Sequence, residues 1–232
     1  MVQIMGTAIA GEDGAALPRR LCSALDEVLE GRGTVLVLMA HLSHHRVLAA
    51  SDPDTERLGG LEFSLGEGPG LDAVARCVPV MAGDLTGPDV DRWPALAVTV
   101  ADAGLPVRAV FAFPLHLSGV SFGVLEVCRD RPGELDETET AHGRIAADLA
   151  SVALARSFET MCSGSPLAAP AWLDEPGVDG VEIDQAVGMV MAQLRATADV
   201  ALSTLRARAF AEGRTVGELA RDVLSRRVGF RP

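Results

Sequence analysis

The stretch VEIDQAVGMVMAQLRATADVALSTLRARAFAEGRTVGELARDVLSRRVG, from Val181 to Gly229, decides how the chain is divided. It holds three helical patterns separated by two tight breaks. In the first, Ile183, Ala186, Val187, Val190, Met191 and Leu194 recur at steps of three and four, the spacing of one helical face. The second has Val200, Ala201, Leu202, Leu205, Ala209 and Phe210 as its apolar positions, with Thr197 or Asp199 available as the cap. Gly213 stands where a helix ends, because a left-handed residue after the last turn costs glycine little. Thr215 and Glu218 form a T-x-x-E capping box for the third helix, which turns Val216, Leu219, Ala220, Val223 and Leu224 inward. Three helices of roughly three turns bury little alone, but they can share one small core. A bundle of this size has no room for a cleft enzyme. It reads as a binding module.

Outward from that stretch, 232 residues allow one large or two modest domains. Hydrophobic residues make up 48% of the chain and aromatics 4%, with no tyrosine, so the core has to be built from Val, Leu and Ala. No apolar run approaches the roughly 20 residues of a membrane span. MVQIMGTAIAGEDG at the start has no basic region and no long apolar core, so a signal peptide is not expected there. Cys22, Cys77, Cys128 and Cys162 lie far apart with no C-x-x-C pair, which predicts reduced thiols in a cytoplasmic protein.

A net charge of −12 argues against a nucleic-acid binder until its distribution is read. Residues 1–180 hold 12 Arg against 26 acidic residues, whereas residues 181–232 hold 8 Arg against 6. An acidic body with a mildly basic end is the asymmetry of a sensor carrying a nucleic-acid-binding tail. Every basic residue is arginine, and lysine is absent.

Residues 14–31 predict an amphipathic helix with Leu17, Leu21, Leu25, Val28 and Leu29 on one side. Thr34–Ala40 and Arg46–Ala50 predict two strands, with His41–His45 as the turn between them. Leu61–Leu65 reads as a short strand entering the turn Gly66-Glu67-Gly68-Pro69-Gly70, and a helix follows from about Leu71 to Cys77. That turn lacks G-x-x-x-x-G-K-[ST] and carries Glu67, so turn chemistry explains it better than phosphate binding. Val78-Pro79-Val80 suggests an edge strand, since proline cannot donate to a ladder. Ala95–Ala103 reads as a helix. Val107–Leu117 and Val120–Arg129 are the strongest strands, joined by a Ser118-Gly119 hairpin turn. Asp136 to about Thr160 predicts a long helix with Ile145, Leu149, Val152 and Leu154 inside, and residues 162–180 read as a linker. The order predicts an α+β fold: an antiparallel sheet with packed helices at 14–160, a linker at 161–180 and a small all-α bundle at 181–229.

Two resemblances follow. Gln185-Ala186-Val187-Gly188-Met189-Val190-Met191, then Ala201…Leu205-Arg206…Ala209 and Val216…Leu219-Ala220, resemble the ANTAR domain, a three-helix RNA-binding module of bacterial regulators. The resemblance implies binding to RNA hairpins with short loops, and through it transcription antitermination or control of translation. Where many members have a basic residue, this chain has Val187, so a changed contact of the first helix with RNA is expected. Leu65–Gly70 (L-G-E-G-P-G), the helix after Trp93-Pro94, and Ala109–Val127 resemble a GAF domain. That similarity implies a sensory domain with a possible small-ligand pocket between sheet and helices, often paired into a homodimer through its terminal helices.

On these resemblances the expected RNA contacts are Gln185, Ala186, Gly188, Met189, Arg206, Arg208 and Arg214, with Arg195 and Arg221 secondary. Small Ala186 and Gly188 serve close helix packing equally well. Candidate pocket residues are Phe63, Trp93, Phe111 and Phe113, although the composition favours reading these four simply as core. No cyclic-nucleotide signature or bilin-type cysteine occurs, His116 and His142 are poor haem candidates, and His41, His44 and His45 have no companion ligand at zinc spacing. No cofactor or metal is expected. G-x-S-x-G and H-E-x-x-H are absent, and Glu134, Asp136, Glu137 and Glu139 suit the start of a helix, so no enzyme is expected. The alternatives are a DNA-binding helix-turn-helix regulator, which would want more Asn, Gln or Ser on its last helix, and a protein-interaction module without nucleic acid.

Overall fold

The computed structural model describes residues 2–10, 16–29, 33–41, 44–162 and 180–231. Its elements run α1 (Val2–Ile9), α2 (Leu17–Leu29), β1 (Gly33–His41), β2 (His44–Ala50), α3 (Pro53–Leu65), α4 (Pro69–Arg76) and β3 (Val80–Ala82). There follow α5 (Pro94–Asp102), β4 (Ala109–Leu117), β5 (Val120–Arg129), α6 (Glu137–Cys162), α7 (Gly180–Leu194), α8 (Ala198–Ala211) and α9 (Val216–Leu224). The five strands form one antiparallel sheet in the order β2-β1-β5-β4-β3. The architecture is α+β with an appended helical bundle. The linker read at 161–180 lies almost wholly outside the described residues.

Alternation along β4 and β5 explains why both faces are buried. Phe111, Phe113, Leu115, Leu125 and Val127 point to the side covered by α2 and α6, where they meet Leu21, Leu25 and Leu154. Val110, Ala112, Val124 and Cys128 point the other way, to Leu58 and Leu61 of α3, Leu71, Trp93 and Leu96. Side chains two apart share a face, so a strand buried on both sides reads as a continuous apolar run. Ser118 (φ 51°) and Gly119 (φ 81°) both turn left-handed, as a two-residue hairpin turn requires.

Four expectations are corrected. Leu61–Leu65 is not a strand but the last turn of α3. Its helix begins at Asp52, whose carboxylate accepts from the amides of Asp54 and Thr55, with Pro53 in the first turn; it ends at Gly66 in the left-handed region. On α6, Ile145 and Val152 face outward at 41% and 44% exposure. The buried stripe is Gly143, Ala146, Ala147, Ala150, Ala153 and Leu154, because small residues bring the helix down onto the ring of Phe113. On α8, Val200 and Phe210 are likewise exposed, and the core side is Ala201, Leu202, Leu205 and Ala209. The edge strand begins at Val80 rather than Val78.

Candidate functional site

The three C-terminal helices close around Ile183, Ala186, Val187, Val190, Leu202, Leu205, Leu219 and Val223. The Thr215–Glu218 capping box forms in both directions, at 3.2 Å to the Glu218 amide and 2.9 Å from the Thr215 amide. Of the residues expected to meet RNA, Gln185 and Gly188 are exposed on α7, Met189 is half-buried and Ala186 is fully buried. Val187 is itself a core residue at 5% exposure, so its side chain packs within the bundle rather than facing a ligand.

The three candidate arginines are engaged within the chain. Arg214 bonds Asp222 at 2.7 Å, the Glu218 carbonyl at 3.0 Å and Glu212 at 3.3 Å, tying the turn to α9. Arg208 bonds Glu212 at 2.8 Å and the Gly229 carbonyl at 3.2 Å, and lies over the Phe230 ring. Arg206 leaves the bundle altogether. Its Nε donates to the Phe63 carbonyl on α3 at 2.8 Å and its guanidinium lies 4.8 Å from the centre of the Phe63 ring. Burial lowers the Arg206 pKa to about 10, which leaves it cationic at neutral pH.

Sequence reasoning named Arg195 only as a secondary candidate and missed the arginines that gather beside it. The tail after α9 folds back so that the Phe230 amide donates to Gln193 at 2.7 Å, in the last turn of α7. The exposed residues Arg195, Arg226, Arg227 and Arg231 therefore belong to one end of the bundle, where α7 and α9 finish. Only Arg227 among them has a described acidic partner, Asp222 at 3.3 Å and 76% exposed on the arginine side. Three arginines after α9 and one after α7 are visible in the sequence, but the back-folding that collects them is not.

At the junction of sheet domain and bundle, His45 of β2 stacks on Phe63 with ring centres 4.5 Å apart. Burial, chiefly, pushes the His45 pKa down to about 4 and keeps it neutral, the nearby Arg206 adding to the effect. Beside these residues is a cavity of about 810 Å³, walled by α3 and α5 on one side and by the start of α7, Phe210 and the first turn of α9 on the other.

A second arrangement lies inside the sheet domain. Glu126 falls on the α3 side of β5, one position from each of Leu125 and Val127, and meets Glu62 of α3 in full burial. The Gly70 amide donates to Glu62 at 2.8 Å. The glycine turn thus spends an amide within the fold, and Glu67 caps α5 by accepting from the Leu96 amide at 2.9 Å. Burial pushes both carboxyls up, Glu126 to about 7 and Glu62 well above the ordinary range, so the pair holds a proton at neutral pH. An isolated Glu in an apolar strand (V-L-E-V) and a glycine turn were the legible signs.

The four aromatics expected to line one pocket fall into three separate clusters. Phe63 joins the bundle core, Trp93 packs on the α3 side of the sheet, and Phe111 and Phe113 pack on the α6 side. Strand alternation and the helical placement of Phe63 separate them. Leu58, Leu71, Trp93 and Leu96 pack on the α3 side of the sheet. His116 is half-exposed, 3.8 Å from Asp148, and Cys22, Cys77 and Cys128 are free thiols.

Residues 16–155 match the family described as the GAF domain, more than half of the chain. The chain belongs to the GAF family. Residues 179–224 match the ANTAR domain, so the protein is a regulator with a GAF and an ANTAR domain. ANTAR domains are RNA-binding antiterminator modules and GAF domains are sensors. Among solved structures, the GAF–ANTAR chain is similar to the GAF domain of a phosphoenolpyruvate-protein phosphotransferase from Coxiella burnetii. That match has 18% identity and a TM-score of 0.56, over 69% of this chain and 93% of that one. A domain of a two-component sensor histidine kinase protein from Sinorhizobium meliloti 1021 matches at 15% identity and a TM-score of 0.51, over 67% and 100%. At these identities the likeness shows the fold alone. No curated protein matches the chain in sequence. No helix among the described residues is long and apolar enough to cross a membrane.

Proposed function

We propose that this GAF–ANTAR protein is a cytoplasmic, signal-responsive regulator that binds tandem short-loop RNA hairpins and so controls antitermination or translation. The proposed division is 14–160 for sensing and dimerisation, 161–180 as linker and 181–229 for RNA. The observation that carries the reading is the arginine end of the bundle. Arg195, Arg226, Arg227 and Arg231 sit where α7 and α9 finish, while the starts of those helices face the acidic sheet domain. Phosphate is thus offered a cluster of exposed positive charge at one end of the bundle. Gln185, Gly188 and Met189 on α7 supply contacts to unpaired loop bases, which is where sequence-specific RNA recognition concentrates. Ala186 acts through packing. Arg208 and Arg214 shape the surface through their internal bonds, and Arg206 is available only when the bundle leaves α3.

The exposed Ile145 and Val152 on α6 are seven residues apart, the repeat of a helix pairing with its own copy in a homodimer. A dimer would present two bundles to two hairpins. The test is salt-titrated binding of the full chain to a tandem-hairpin RNA, a scrambled single-stranded RNA and duplex DNA. Loop-dependent binding to the tandem hairpin alone is expected, with Arg226→Ala plus Arg227→Ala weakening it. Equal weak binding to all three probes would overturn the reading.

A further inference from the structure

The cavity between the two domains is built like a ligand site, and its shape is maintained at a cost to the helix that walls it. Gly59 and Gly60 lie in the middle of α3, where glycine weakens a helix. Gly59 has a packing reason: a Cβ there would lie 3.4–3.6 Å from Val37, Val35 and Val47, where helix and sheet approach closely. Gly60 has none. A Cβ at Gly60 would meet nothing within 4 Å, and Gly60 lines the cavity. Its missing side chain is space.

The opposing walls leave apolar surface open to that space. Val98 of α5 and Phe210 of α8 are each 54% exposed, although both are large and apolar, and both line the cavity together with buried Phe63. At about 810 Å³ the cavity is in the range of small-molecule sites. Its charged lining is Glu56, Asp102 and Glu218 against Arg57 and Arg214, and Arg214 is already bound by Asp222 and Glu212. That balance disfavours an anion.

We infer that the cavity walled by Gly60, Phe63, Val98 and Phe210 binds a small aromatic molecule, neutral or carrying an amine, that contacts both domains at once. This site is distinct from the face of the sheet, where Leu58, Leu71, Trp93 and Leu96 pack. The inference goes beyond the RNA reading, and its test contains no RNA, so either can fail alone.

The probe is N-phenyl-1-naphthylamine, a neutral aromatic amine that fluoresces in apolar surroundings, titrated into the full chain. One saturable site is expected. Gly60→Phe places a ring in the empty space and should weaken binding by about tenfold or more while keeping the far-ultraviolet dichroism. Val98→Arg, at an exposed position, should do the same and decides the matter if the first variant does not fold. No saturable site, or unchanged titrations of both variants, would overturn the inference.

Discussion

Arg206 and Phe63, 143 positions apart in sequence, are joined twice: Nε donates to the Phe63 carbonyl at 2.8 Å, and the guanidinium lies over the same residue's ring. This arginine thereby ties the bundle to α3, where Phe63 also packs into the bundle core. A charge-assisted hydrogen bond and a partly desolvated cation–π contact together suggest about 2–4 kcal/mol for the domain contact. Arg206→Ala should therefore enlarge the radius of gyration in small-angle scattering without loss of helix content. Arg206→Lys should not restore the parent value, since a lysine has no Nε to direct at the carbonyl while covering the ring with a planar group. An unchanged radius in both variants would show that other contacts hold the domains.

The Glu62–Glu126 pair predicts a stability that falls with pH. Burial raises both carboxyls, Glu126 to about 7 from an ordinary 4.5. A raised folded-state pKa means the folded chain holds protons that the unfolded chain has released. The contribution is complete below about pH 4.5 and is lost as pH rises through 7 and beyond. Glu126→Gln keeps the shape and removes one titrating group. Its thermal midpoint should change less between pH 5 and pH 8 than the parent's, and at pH 8 the variant should be the more stable. A parallel pH profile for parent and variant would remove the pair from the account.

The contrast between what the sequence announced and what it hid has physical causes. The Thr215–Glu218 box and the Ser118-Gly119 turn were legible because each is a local bargain between neighbours, settled within four residues. Leu61–Leu65 misled because L-E-F-S-L alternates like a strand, and the two glycines before it disguised a helix that Asp52 and Pro53 had already begun. On α6 the large residues drew attention, but the sheet side needed the small ones. The fate of Arg206 was not local at all, since nothing near it in sequence indicates Phe63. Gln185, Ala186, Gly188 and Met189 could be read from one local motif, whereas the exposed arginines are collected by a tail folding back on Gln193.

Two glycines on two helices should respond oppositely to alanine. A Cβ on Gly143 would lie 2.2 Å from the tip of the Phe113 ring, which is 1% exposed and has nowhere to move. Gly143→Ala should then force α6 off the sheet and destabilise by about 1–3 kcal/mol. Gly60→Ala meets open space and removes a mid-helix glycine, so it should stabilise by about 0.5–1 kcal/mol. Urea midpoints of the two variants check both signs. A destabilised Gly60→Ala would mean the helix there needs glycine for a reason other than space.

The arginines of the bundle should separate into two classes by salt dependence. Arg226 and Arg227 are exposed beyond the end of α9, and removing both should weaken RNA binding and flatten the dependence of log K on log salt by about two counterions' worth of slope. Arg214 is different, because its bonds to Glu212, the Glu218 carbonyl and Asp222 tie the turn to α9, and those partners hold its own pKa up. Arg214→Ala should lower the thermal midpoint of the chain, and any loss of RNA affinity should follow from loosened helices with little change in salt slope. Equilibrium binding at four salt concentrations, alongside thermal melts, distinguishes the two. If Arg214→Ala flattens the slope as strongly as the Arg226–Arg227 pair, then Arg214 exchanges its internal partners for phosphate on binding, and the RNA surface extends to the α8–α9 turn that walls the interdomain cavity.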